Sequence, residues 1–215
     1  MPHKLLVFLF LILLHGGYTH AQKIFTEGTI VYKVTLASAG QKEFTGLYTF
    51  TIKGSQIKKE LKLSNGYQDI VLLNCGTSTI YSLQSRNNRK YAIQLSMNDA
   101  IKSQGKFTAF TIKNEEKNSK NISGFPADKG QINYADGSVA EVYYTKDWRP
   151  SQAITFERFP DAKFIPLYFT YTDEQGMVMT FEVKTIEAGP IENAVFRIPA
   201  DYKMISYEEY KELTK

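Results

Sequence analysis

Residues 122–148, ISGFPADKGQINYADGSVAEVYYTKDW, predict two β-strands joined by a tight turn at Asp136-Gly137. An Asp-Gly pair supplies the positive φ angles that a primed hairpin turn needs. Apolar residues alternate with polar ones on both sides of the turn, as Ile132 and Tyr134 before it and as Val142 and Tyr144 after it. This two-residue period is typical of half-buried strands. The stretch therefore predicts a hairpin, and it contains no catalytic motif.

The same period recurs along most of the chain. From Gly28 onward, Ile30, Tyr32 and Val34 fall on one face of a predicted strand, and comparable runs follow up to residue 198. Residues 113–121 are rich in Lys, Glu, Asn and Ser and predict a solvated loop. The alternation gives about ten strands in all, with no internal repeat of fixed length.

Three short segments break the strand period and predict helices. Ser96 can cap a helix that ends by Gly105, Ser151 can cap another that runs toward Phe159, and residues 207–213 suit a closing helix. Pro160 and Pro166 bracket an irregular crossing. The predicted fold class is therefore mainly β with a minor α component: a strongly curved, antiparallel sheet with two or three short helices.

Residues 1–21 are typical of an export signal. Lys4 precedes about ten apolar residues, which are too few to span a bilayer as a helix. Small Ala21 suits cleavage before Gln22, and no cysteine follows the apolar run, so there is no lipobox. We expect a periplasmic or secreted protein with a single domain over residues 22–215. An uncleaved membrane anchor is the alternative.

Composition excludes several kinds of chemistry. Residues 22–215 hold 25 basic and 22 acidic residues, since only Lys4 of the 26 basic residues precedes them, and a net charge of +3 does not favour nucleic acid. All three histidines lie in residues 1–21, which removes histidine acid-base catalysis and imidazole zinc sites. Cys75 is the only cysteine, so no intramolecular disulfide forms, and a buried apolar role fits it better than a reactive thiol. We expect no catalytic residue, metal or cofactor.

The motif IxGFxxxK at residues 122–129, the run VYYTKDW and the ending FRIPADYKMIS resemble secreted GLPGLI-type and domain-of-unknown-function families of Gram-negative bacteria. Those families are similar to the lipoprotein-carrier, or LolA/LolB-like, half-barrels. Two features depart from the family pattern: Ala127 stands where many members have cysteine, and no Gly-Leu-Pro-Gly segment is present. The matching positions are Ile122, Gly124, Phe125, Lys129, Tyr143, Tyr144, Thr145, Phe196, Pro199 and Tyr202.

The resemblance implies a half-barrel that curls around an apolar cavity lidded by short helices. The Asp136-Gly137 hairpin would then form a central rib of the sheet. Aromatic residues make up 13% of the chain, and those on the more apolar strand faces could line such a cavity or fill an ordinary core. The candidate ligand-binding residues are Tyr32, Tyr48, Phe50, Tyr91, Phe110, Tyr144, Tyr168, Phe181 and Phe196.

The leading hypothesis is an exported, non-enzymatic protein that binds or carries an apolar small molecule, or a lipid or lipoprotein acyl chain, in the cell envelope. An envelope protein is a further candidate partner, and membrane contact is expected to be peripheral only. The alternative is a structural or interaction module that docks a protein or glycan without a ligand cavity. A weaker option is a hydrolase, which would need two carboxylates about 5 to 9.5 Å apart in one cleft.

Overall fold

The computed structural model describes residues 22–38, 42–86, 88–98, 107, 109–172 and 176–214, so the predicted signal at residues 1–21 lies outside the described residues. Helical structure among these residues includes a 3-10 turn, Asn193–Phe196, and the helix α1, Tyr207–Thr214. The strands are β1 (Lys23–Phe25), β2 (Glu27–Ala37), β3 (Phe44–Lys53), β4 (Gln56–Leu63), β5 (Gln68–Asn74), β6 (Thr79–Arg86), β7 (Arg89–Ser96), β8 (Phe110–Ile122), β9 (Phe125–Tyr134), β10 (Val139–Thr145), β11 (Trp148–Pro150), β12 (Ile165–Thr172), β13 (Val178–Ala188) and β14 (Lys203–Ser206).

Twelve of these strands form one sheet in the order β14-β7-β6-β5-β4-β3-β2-β13-β12-β10-β9-β8. Neighbouring strands are antiparallel except for β14, which pairs with β7 in parallel. The sheet is open, since β14 and β8 lie at opposite edges. β1 and β11 form a separate, two-stranded parallel pair. The predicted fold class, mainly β with a large antiparallel sheet, is confirmed.

The hairpin predicted at Asp136-Gly137 is confirmed as β9 and β10, but the predicted primed turn is wrong: residues 135–137 form a three-residue loop in which Gly137 has a positive φ and Asp136 does not. Gly137 has a φ of +82°, and its amide donates to the Tyr134 carbonyl at 3.0 Å. The Asp136 carboxylate accepts hydrogen bonds from both the amide and the hydroxyl of Ser138, which holds the turn closed. The hairpin is not a central rib, however, because β9 lies beside the edge strand β8.

Two further local predictions are wrong. Residues 113–121 belong to β8 rather than to a loop, because the ladder with β9 outweighs their polar composition. No helix follows Ser151, where turns and bends run as far as residue 164. The helix predicted after Ser96 has its first residues at Met97 and Asn98, and the rest of it lies outside the described residues. The closing helix is confirmed as α1.

The sheet is strongly curved, and one turn of the chain contacts strands that are far apart in it. Strands β3 and β8 are six positions apart in the sheet, which is about 29 Å if the sheet were flat. Phe156 lies 5.1 Å from the ring of Phe50 on β3, and Phe159 lies 6.2 Å from that of Phe110 on β8. Phe159 donates its amide to the Phe156 carbonyl, so both belong to one turn, whose ends are within about 7 Å. Both ring contacts form because the sheet curls around this turn.

Residues 151–164, called the strap below, occupy the concave face of the sheet. Three rings of the strap, from Phe156, Phe159 and Phe164, are almost fully buried in the main core. Polar contacts fasten the strap at its start, where Gln152 Nε2 donates to the Gly54 carbonyl at 3.2 Å. The concave face is therefore largely filled by the chain itself.

Two smaller clusters complete the packing. Leu72, Leu83 and Ala92 form one, against which Ile198 and Tyr202 of the C-terminal segment pack. A second consists of Tyr91 and two isoleucines of β7 and β14, and Tyr210 of α1 packs against it. No helix among the described residues is long and apolar enough to cross a membrane.

The β8–β9 hairpin bends back over the convex face of the sheet. The pairing of β8 with β9 is interrupted by a bulge between Glu115 and Lys120. Beyond the bulge, Lys120 Nζ lies 3.8 Å from the ring centroid of Tyr143 and 5.0 Å from that of Tyr168. Tyr143 and Tyr168 are opposite each other on β10 and β12. The hairpin tip therefore covers part of these two strands.

Candidate ligand-binding cleft

Strands β10 and β12 separate at one end and open a cleft in the sheet. Their pairing runs from Thr145 and Ile165 as far as Val142 and Phe169. Past that point, residues 139–141 pair with β9 and residues 170–172 pair with β13, but these two segments are not paired with each other. The cleft lies between them.

The cleft has a volume of about 540 Å³. This is within the range of about 300–1,000 Å³ that small-molecule sites occupy. Side chains of a strand alternate between the two faces of a sheet, so a lining that holds both Tyr168 and Phe169 opens toward both faces. The lining residues are Phe107, Tyr134, Ser138, Val139, Ala140, Glu141, Tyr143, Arg158, Phe159, Tyr168, Phe169, Thr170, Tyr171 and Thr172.

Stacked rings form the inner wall of the cleft. Phe169 stacks on Phe181 with ring centroids 4.6 Å apart and planes 5° from parallel, and Tyr171 stacks on Phe181 at 5.9 Å and 13°. Phe159 of the strap meets Phe169 edge-on at 5.1 Å. These contacts hold the rings in fixed orientations, which gives the cleft a preformed apolar wall.

Arg158 is the only positively charged residue in the described lining of the cleft. Its guanidinium carbon lies 3.4 Å from the ring centroid of Tyr171 and 4.1 Å from that of Phe107, so the planar group is held between two rings. Its backbone carbonyl accepts a hydrogen bond of 3.1 Å from the Tyr134 hydroxyl. The strap thus carries a cation into an aromatic cleft, and a core tyrosine anchors the strap at that residue.

The phenol of Tyr134 stays protonated over a wide pH range. Burial raises its pKa to about 12, although the nearby charge of Arg158 acts in the opposite direction. The hydroxyl therefore remains a hydrogen-bond donor to the strap at neutral pH. Glu141 is the one acidic residue among the described residues of the lining; its carboxylate pairs with Lys129 Nζ at 2.7 Å, and its side chain is mostly exposed.

The nine predicted site residues lie in several environments. Tyr32, Phe50, Tyr144 and Phe181 are buried in the main core, and Tyr48, Phe110 and Tyr168 pack against it partly buried. Tyr91 lies in the separate cluster beneath α1, and Phe196 is half-buried in the 3-10 turn. Of the nine, Tyr168 lines the cleft. A ligand-binding role for these residues stays a prediction.

Tyr32 shows how the core residues are closed off. It is 1% exposed, its hydroxyl donates to the Pro166 carbonyl at 2.8 Å, and its ring meets Phe156 of the strap edge-on at 6.4 Å. Burial raises the pKa of this phenol well above its ordinary value. The strap therefore separates Tyr32 from any ligand at the surface.

Two charged side chains, those of Lys59 on β4 and Asp69 on β5, lie on the same face of the sheet as Tyr32. Lys59 is 2% exposed and pairs with Glu157 of the strap, and its ammonium also donates to the Ile154 carbonyl at 3.1 Å. Asp69 accepts a hydrogen bond of 3.0 Å from Gln84 Nε2, but burial outweighs this and raises the pKa of its carboxyl. The Lys59 contacts fasten the strap, and neither Lys59 nor Asp69 lines the cleft.

Sequence reasoning missed Arg158, Phe159 and Tyr171. Arg158 and Phe159 fell in a segment predicted as a short helix that leads into an irregular crossing, and no side chain of that segment was assigned to a site. Tyr171 fell in a predicted strand, now β12, but was not chosen as a candidate. Three phenylalanines within residues 156–164 were the available signal, because an irregular segment that rich in rings is typical of a buried one.

No family model matches this sequence, and no curated protein matches it. Similar solved structures include an uncharacterized conserved protein of Thermus thermophilus, with a TM-score of 0.48, 13% identity, and coverage of 82% of this chain and 90% of that one. A LolA superfamily protein of Nitrosomonas europaea has a TM-score of 0.39, 10% identity, and coverage of 81% and 91%. A chain of the MucA/MucB complex of Pseudomonas aeruginosa has a TM-score of 0.44, 10% identity, and coverage of 82% and 58%.

Proposed function

We propose that this chain is an exported, non-enzymatic binding protein that holds an apolar chain, such as the acyl chain of a lipid or lipoprotein, in the cleft between β10 and β12. The observation that carries this proposal is the cleft itself, which has a volume of about 540 Å³ and in which seven of the fourteen described lining residues are aromatic. Its stacked inner wall is rigid before any ligand enters, so little ordering is required on binding.

The cellular setting in the proposal follows from the sequence. The signal pattern of residues 1–21 directs the chain to the periplasm or outside the cell, and residues 22–215 act there as one domain. Contact with a membrane is peripheral and serves to load or unload the ligand.

Binding strength should depend on chain length. Each buried methylene contributes about 0.8 kcal/mol, so two additional methylenes tighten binding roughly tenfold until the cleft is full. Saturated fatty acids of increasing length, measured by displacement of a fluorescent fatty acid, test this. Affinity that does not change with length would count against an acyl-chain cleft.

A matched pair of variants locates the site. Thr170 lines the cleft, whereas Thr49 faces outward on β3 away from it, and both side chains are half-buried. Thr170→Trp fills the cleft and should weaken binding at least tenfold, and Thr49→Trp should leave it unchanged.

Native mass spectrometry of protein isolated from the periplasm gives an independent test. An apo mass together with no fatty-acid binding would favour the alternative, an envelope interaction module.

A further inference from the structure

The Arg158 side chain has no acidic partner in the described part of the chain. Its guanidinium makes no ion pair and no hydrogen bond there, and its recorded contacts are the faces of two rings. A guanidinium carries five N–H donors around its edge, and stacking on its two faces leaves that edge free. Stacking on aromatic rings stabilises a cation but does not neutralise it, so the arrangement leaves a positive charge available inside the cleft.

The other charged group of the lining does not neutralise Arg158. Glu141 pairs with Lys129, and its side chain is 65% exposed. The hydroxyl groups of Thr170 and Thr172 also line the cleft and can donate hydrogen bonds to an anion, whereas the Ser138 hydroxyl already donates to Asp136. The cleft thus combines a wall of aromatic rings with threonine hydroxyl groups and, among the described residues, one unpaired cation.

We propose that Arg158 recognises an anionic head group, so that the ligand is an amphiphile with one apolar chain and one carboxylate or phosphate. This inference rests on the proposed function, since it names the chemistry of the ligand in the same cleft. The planar edge of a guanidinium matches both carboxylate and phosphate oxygens in a bidentate arrangement. The rings of Phe107 and Tyr171 fix the plane of the guanidinium and so fix the direction from which the head group approaches.

Three probes of equal chain length test the proposal on the protein of residues 22–215: dodecanoic acid, dodecyl phosphate and 1-dodecanol. Isothermal titration calorimetry at low and high salt gives the affinities. A charge-assisted hydrogen bond should favour the anions over the alcohol by about ten- to hundredfold, and this preference should fall as salt rises. The tighter of the two anions distinguishes a free acyl carboxylate from a lipid phosphate.

Arg158→Gln should remove the preference for the two anions over the alcohol. Arg158→Lys should restore part of it, because the charge returns without the planar edge. Arg197→Gln, at an exposed arginine outside the cleft lining, is the control and should change nothing. If Arg158→Gln does not fold, equal binding of acid and alcohol to the unaltered protein still overturns the proposal, and Arg158→Lys tests whether the preference comes from this residue.

The outcomes separate the two proposals. If no probe binds, the proposed function fails. If acid, phosphate and alcohol bind equally to the unaltered protein, the cleft binds the apolar chain but Arg158 does not recognise the head group. That result overturns this inference. A preference for anions that survives Arg158→Gln overturns it as well.

Discussion

Removing the two partners of the Lys59–Glu157 ion pair should have unequal effects on stability. Lys59 is 2% exposed and Glu157 is 47% exposed. The ammonium also donates to the Ile154 carbonyl and lies 5.7 Å from the ring centroid of Phe50. Glu157→Gln leaves an ammonium buried without its carboxylate, whereas Lys59→Met leaves a carboxylate that water can reach.

The magnitudes follow from burial. Breaking a fully buried pair costs about 3–5 kcal/mol, and an exposed pair contributes about 0–1 kcal/mol. Because Glu157 is half-exposed, we expect Glu157→Gln to lower the free energy of unfolding by about 2 kcal/mol, between those two limits. Lys59→Met keeps an apolar side chain of similar length beside Phe50 and loses one hydrogen bond to Ile154, so its cost should stay within about 1 kcal/mol.

Urea denaturation followed by tryptophan fluorescence measures both changes, since Trp148 is the single tryptophan. For a domain of this size, a loss of about 2 kcal/mol lowers the melting temperature by about 4–8 °C. Asp161→Asn is the control, because its pair with Lys163 is exposed and should contribute less than about 0.5 kcal/mol. A larger loss for Lys59→Met than for Glu157→Gln would refute the reasoning.

Three further changes test the packing around the strap and the cleft. Tyr32→Phe should cost about 1 kcal/mol in urea denaturation, because the Pro166 carbonyl loses its buried donor; no change would show that water replaces it. Gly130→Ala should cost about 1–3 kcal/mol, since the added carbon would lie 2.7 Å from Ile112 Cδ1; an unchanged melting temperature would contradict this close contact. The pKa of Tyr134 rises from 10.0 to about 12 on folding, so its contribution to stability is complete below pH 10 and declines as the pH rises through 12. Tyr134→Phe should flatten that decline in thermal melts, and an identical decline in both proteins would contradict the assignment.

Much of the sheet could be predicted from residue alternation and turn chemistry. The Asp136-Gly137 pair located the turn between β9 and β10 but gave the wrong register. Asn133 pairs with Val139, and the Tyr134 amide donates to the Ser138 carbonyl, so the loop has three residues, 135–137, rather than the two of a primed turn. The larger part of β8, residues 113–121, was missed because Lys, Glu and Asn are poor strand formers and because its pairing partner is another strand rather than a local signal. Ser151 suggested a helix cap, but the rings of Phe156 and Phe159 are held by tertiary packing in turns instead.

The site was harder to predict than the fold. The two-residue alternation of apolar residues identifies the inner face of a strand, but it does not show which segment covers that face. Tyr32 and Phe50 were therefore correctly predicted to face inward, but nothing in the sequence showed that the strap packs over them. The cleft arises where β10 and β12 stop pairing, which depends on long-range geometry. No sequence pattern identified Arg158 as a candidate binding residue, because its position in the cleft depends on the two rings that enclose its guanidinium.

The bulge in β8 has a consequence for how molecules of this protein behave in a crowded compartment. An open sheet exposes two edges, and a long, flat edge strand invites another chain to add to it and start aggregation. Here β8 is interrupted between Glu115 and Lys120, so its thirteen residues never present one straight edge. At the other edge, β14 has four residues and leads directly into α1. Both ends of the sheet are thereby protected against edge-to-edge association, so the sheet can remain open without polymerising.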